Sequence, residues 1–149
     1  MQLSPHFSLD EFCRSQTAVR LGIDMTPPPA VVDALQALVA HVVEPLRVAL
    51  GRPIVVSSGY RPAALNARIG GAAGSQHILG QAADLVVPGL TARQVCEAVI
   101  AERLPFDQLI HEFGAWTHVS YNPAGRQRGQ VLTALRVNGA VDYHPGLPA

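Results

Sequence analysis

Apolar residues recur at three- and four-residue steps over the stretch from Pro29 to about Leu50, as Val32, Leu35, Leu38, Val39, Val42, Val43, Leu46 and Leu50. That spacing predicts an amphipathic helix. Pro27-Pro28-Pro29 stiffens the approach to it, and Gly51 closes it with Pro53 just beyond. Three shorter helices follow from local signals. Ser8 with Glu11 fits a capping box and starts a turn or two from Leu9 to about Arg14. Ala63 to Arg68 reads as one helical turn. Thr91 caps a helix from Ala92 to about Glu102, with Val95, Val99 and Ile100 among its apolar positions and Pro105 ending it.

Between these helices the pattern shortens to strand-like runs. Ile54 to Ser57 is one, leaving through Ser58-Gly59-Tyr60-Arg61-Pro62. AADLVV is short, apolar and ends at Pro88-Gly89, as a buried strand does. Asp107–Phe113 and Thr117–Tyr121 form a hairpin pattern, with Gly114-Ala115 turning the chain. Val131 to Arg136 predicts one more strand, followed by an Asn138-Gly139 turn and a loose C-terminus.

Composition narrows the function classes. A chain of 149 residues suits one domain, 1–149, and no repeat or linker divides it. Eleven basic residues balance eleven acidic ones, so no nucleic-acid-binding face is expected. No uninterrupted apolar run approaches about 18 residues, so no membrane span is expected. The first residues lack the basic and apolar pattern of a signal peptide. Action outside the cytoplasm would then need release by another route. A monomer is expected. Cys13 and Cys96 are read as two buried thiols. His41 and His144 are read as surface residues, and Arg126 and Arg128 as solvated loop charges.

Candidate chemistry concentrates in two pieces, SQHILGQAAD (Ser75 to Asp84) and HEFGAWTHVS (His111 to Ser120). A carboxylate inside an apolar strand is costly unless it is paired or bound to a metal, which singles out Asp84. His77 falls on a loop before it, with Gly80 at a turn needing unusual backbone angles. His118 lies on the second hairpin strand and Glu112 near the tip of the first. His111-Glu112 is not a helical HExxH motif, because the next histidine is His118 and no helix is expected there. If the two pieces meet, His77, Asp84 and His118 make a three-ligand site for one zinc ion with a position left for water. Glu112, outside the ligand set, can then exchange a proton with that water and with a leaving amine. Arg61 has two readings, a surface guanidinium in a turn or an anion holder at the mouth of the site.

These residues carry a family resemblance. SGYRP, then SxHxxGxAxD, then E…WxHVS resembles the zinc D-alanyl-D-alanine carboxypeptidases of bacteria and phages. That group includes the VanX-like dipeptidases, phage endolysin peptidases and the Hedgehog signalling domain. The match runs from about 53 to 121. It implies an α+β fold with helices packed on a small, largely antiparallel sheet, in agreement with the elements above. It also implies His77, Asp84 and His118 as zinc ligands and Glu112 as catalytic base. Arg61 resembles the family's oxyanion- or substrate-holding arginine, and Ser75 its substrate-contacting serine. Some relatives carry a histidine where Trp116 stands, or an acid where Ala115 stands; Trp116 would instead wall the site or stack on substrate. The expected activity is hydrolysis of peptidoglycan stem peptides at or near a D-amino acid, by a phage or prophage protein reaching the cell wall after release or in the virion. A non-catalytic, zinc-containing wall-binding or assembly module is the alternative, separated by digestion of sacculi with added zinc.

Overall fold

The computed structural model describes residues 1–149. Two short strands, β1 (Gln2–Ser4) and β2 (Phe7–Ser8), pair as an N-terminal ribbon. Glu11 accepts from the Ser8 N–H at 2.7 Å, which starts helix α1 (Leu9–Cys13) as the capping box predicts. A second short helix, α2 (Gln16–Leu21), was not anticipated; Ser15 Oγ accepts from the Ala18 N–H at 3.2 Å and caps it.

The long helix spans Pro29–Leu50, but it is not uniform. It consists of α3 (Pro29–Leu38), a π-helical turn (Val39–Val43) and α4 (Glu44–Leu50). Pro45 explains the interruption: it has no N–H to give, and in a regular helix its ring would strike the carbonyl four residues back. The Glu44 N–H accordingly reaches Val39 O, five residues back. The widened turn also keeps the apolar stripe together. Val31, Leu35, Val39 and Val43 follow one another at steps of four, as do Ala34, Leu38, Val42 and Leu46, and all eight are buried. In a pure α-helix each four-residue step overshoots a full turn by about 40°. The π turn cancels part of that drift. By length and composition this helix could cross a membrane; with its stripe in the main apolar cluster it is the core helix of the domain. His41, on its exposed side, stacks on Tyr121 with ring centroids 4.7 Å apart.

Beyond it come β3 (Val55–Ser58), α5 (Ala63–Arg68), a 3₁₀ turn (Gln76–Leu79), β4 (Ala82–Val86) and α6 (Ala92–Ala101). The rest of the chain is strand: β5 (Gln108–Glu112), β6 (Trp116–Ser120), β7 (Gln130–Val137) and β8 (Ala140–Pro145). Six strands form one sheet in the order β3-β4-β6-β5-β7-β8. Only the β5–β7 pairing is parallel. The loose C-terminus expected after Asn138-Gly139 is instead strand β8, paired with β7 from Val137↔Ala140 to Leu132↔Pro145. The hairpin turn also sits one residue earlier than expected, because Ala115 N–H closes on Glu112 O at 2.9 Å with Phe113 and Gly114 at its centre.

Strand alternation gives the sheet two unlike faces. Ala83, Leu85, Leu109 and Val119 point to the helices and join Val95, Cys96 and Val99 of α6 in the core. Asp84, His118, Ile110 and Glu112 belong to the opposite face, where no helix of the core covers them. That face floors a cleft of about 860 Å³. Cys13 and Cys96 are both free, and burial pushes each thiol up to about 11.

Candidate metal centre

Asp84 stands at the middle of the centre. It lies on β4 with His118 of β6 as its direct cross-strand partner. That register brings His118 Nδ1 to 3.0 Å from Asp84 Oδ1. His77 arrives from the other side, on the 3₁₀ turn, with its Nε2 at 3.3 Å from the same oxygen. The potential ligand atoms of His77, Asp84 and His118 all lie within 4.8 Å of one another, and all three residues are buried. The loop, strand and hairpin positions read from the sequence therefore do converge.

Local chemistry holds His77 in place. Ser75 Oγ accepts from the His77 N–H at 3.2 Å and starts the turn. Gly80 ends it at φ 71°, where a Cβ would fall 2.8 Å from Val31 O, so only glycine fits. The ring is fixed by Gly59, whose carbonyl lies 2.7 Å from Nδ1. A carbonyl can only accept, so Nδ1 carries the proton and Nε2 presents its lone pair towards Asp84. A backbone oxygen orienting one nitrogen so that the other can ligate is the usual support of a metal-binding histidine. Two imidazole nitrogens and a carboxylate oxygen, buried and already convergent, fit a zinc ion.

The electrostatics agree. Burial by itself would raise the Asp84 carboxyl, but the facing rings of His118 and then His77 outweigh it and hold the group well below the usual carboxylate range. Glu112 ends β5 beside this triad, its Oε1 3.6 Å from His118 Nδ1. Burial, reinforced by the Asp84 charge, raises its proton affinity against the opposing pull of His118. The Trp116 indole N–H faces Glu112 closely enough to favour its charge, yet falls outside hydrogen-bond geometry.

Arg61 is not a plain surface residue. Its backbone N–H donates to His77 O at 3.1 Å. Its guanidinium is half-buried in the cleft, where burial lowers its proton affinity and the Asp84 and Glu112 charges oppose that shift. Arg61 Nε has no partner. Its guanidinium thus faces the cleft instead of standing free on a surface turn. Ser75 and Trp116 also line the cleft. His111, one residue before Glu112, points to the helix side and takes no part.

Three cleft residues had no signal in the sequence: Phe113, Arg136 and Tyr143. The two from the C-terminal hairpin were hidden because that segment reads as a tail. Arg128 is exposed on its loop as expected, but it is also paired: its guanidinium bonds Asp107 at 2.7 and 3.1 Å and its backbone N–H adds a third contact at 2.9 Å.

A family model described as Peptidase M15 covers residues 5–120. No curated protein matches the chain.

Proposed function

The chain belongs to the Peptidase M15 family, and on that premise we propose that it is a zinc peptidase hydrolysing peptidoglycan stem peptides at or next to a D-amino acid, as a carboxypeptidase or an endolysin-type endopeptidase. The observation that carries this reading is the convergence of His77, Asp84 and His118 with a fourth, non-ligand carboxylate beside them. The first three would hold the cation. Bound there, zinc supplies Lewis acidity, polarising the scissile carbonyl and making a water acidic enough to attack at neutral pH.

The protein supplies the rest. Glu112 takes the proton of the attacking water on a carboxylate oxygen and delivers it to the departing amine nitrogen. Its raised proton affinity suits the first of these transfers, acceptance of the proton. Arg61, with an unpaired Nε–H, donates to the oxyanion that develops on the carbonyl oxygen or to a substrate carboxylate. Ser75 keeps His77 on its turn and lies where it can also meet substrate. Trp116 walls the cleft beside Glu112 and limits water there.

The test is digestion of purified sacculi with zinc, products identified by mass spectrometry, for wild type and Glu112→Ala. We expect both proteins to retain one zinc per chain while the variant loses about a hundredfold or more in rate. Equal cleavage by both would remove Glu112 from the role of base. Binding to sacculi with no products from wild type would assign the non-catalytic alternative.

A further inference from the structure

Residues 130–145 lie beyond the span matched by the family model, yet they build one side of the cleft. Strand register shows how. Trp116 pairs with Glu112, Glu112 with Ala134, and Ala134 with Tyr143, so these four residues form one lateral row across β6, β5, β7 and β8. Only a small, fully buried alanine separates Glu112 from the Tyr143 strand. Burial and then the Glu112 charge raise the Tyr143 phenol, which lines the same cleft.

Phe113 adds a second observation. It takes φ 57° in the turn after β5, a left-handed conformation that suits Asn, Asp or Gly and strains a bulky residue. There its ring meets Trp116 edge-on at 5.5 Å, and the Arg136 guanidinium lies over it, 4.6 Å from the centroid. Arg136 is thus placed on an aromatic platform. It also remains unpaired: the arginine ion pairs of this chain are those of Arg14, Arg93 and Arg128. Arg61 and Arg136 are the cleft's two guanidinium groups without an ion pair, the first beside Asp84 and Glu112, the second over Phe113 on the exposed end of β7.

We propose that Arg136, held over Phe113 and flanked by Tyr143, is a specificity-determining residue that binds a free carboxylate of the peptide substrate at the rim of the cleft. This rests on the peptidase reading for the nature of the ligand. A carboxylate that reaches Arg136 meets a planar donor fork that no acid of this chain already occupies. A neutral peptide leaves that fork bare.

Trp116 is the sole tryptophan and meets the same platform edge-on, so its fluorescence reports binding without turnover. Synthetic stem peptides carrying free carboxylates, or the amide at each carboxylate in turn, are titrated into Glu112→Ala, alone and combined with Arg136→Gln or Arg136→Lys. We expect one free acid to bind about tenfold more tightly than its amide. That ratio falls to near one with Arg136→Gln and recovers in part with Arg136→Lys. The position whose amidation removes the preference identifies the carboxylate. An acid preference that survives Arg136→Gln, or no preference at all, overturns the subsite. Zinc-dependent hydrolysis of the same peptides by wild type separates the two ideas. Hydrolysis with a preference indifferent to Arg136 sinks the subsite alone, whereas Arg136-dependent binding without any hydrolysis sinks the peptidase reading alone.

Discussion

Gly59 controls where His77 points, although it touches neither the cleft floor nor a charge. A Cβ there would lie 2.5 Å from Phe12 O and 2.8 Å from Phe12 Cα, main-chain atoms that cannot swing aside. Gly59→Ala must push α1 away or rotate the carbonyl that receives His77 Nδ1–H. We expect a loss of about 2 kcal/mol in stability and a ten- to hundredfold weaker hold on zinc, read by thermal unfolding and by competition with a chelator. At this scale the candidate metal donors were legible chiefly through Asp84, a charge in an apolar strand. Gly59 was legible only as a turn residue, since the backbone that crowds it belongs to a helix far upstream. Phe113 was not legible at all, because nothing in a phenylalanine announces a left-handed backbone; the strain there is about 1–2 kcal/mol.

Among elements, the least expected link is the one Asp107 makes just before β5. Its carboxylate accepts from Arg128 in the crossover to β7 and from Gln76 Nε2, at 3.0 Å, in the turn that carries His77. One buried acid thus ties the crossover to the ligand-bearing turn. The Arg128 contacts hold its carboxyl below its ordinary value of 3.8. A lowered folded-state value stabilises the protein fully above that pH, and the contribution is lost as pH falls through the lowered value. Asp107→Asn should therefore cost about 2 kcal/mol near neutrality, less in high salt because Arg128 is half exposed. Its unfolding curves should also show a flatter dependence on pH on the acid side than wild type. Sequence reading missed this link because its two partners are separated by a hairpin. It missed β8 for another reason: all six residues are exposed, so no buried face imposes a pattern.

Across the whole molecule, the α+β class and the helix-backed sheet could be read from periodicity and turn residues, but the strand order could not. Parallel pairing of β5 with β7 depends on a crossover whose path leaves no periodic trace. The donor set joins two central strands to a loop-borne turn, so metal binding and folding should be coupled. With zinc at about a thousand times its dissociation constant the coupling amounts to about 4 kcal/mol. Stripping the metal with a chelator should then lower Tm by about 10 °C, measurable by calorimetry; no shift would mean that nothing binds at the three donors. The kinked core helix has a consequence of its own. Because Pro45 and the fourfold spacing of buried residues share one oversized loop of backbone, the helix is specified by residue count as well as by side-chain type. Removing solvent-facing Ala40 would spare every core side chain and turn the bond from the Glu44 N–H to Val39 O into an ordinary four-residue one. Leu46 would keep its place in the interior, but the Pro45 ring would then strike a regular helix and strain the turn from which Glu44 grips the backbone at His6 at 2.8 Å.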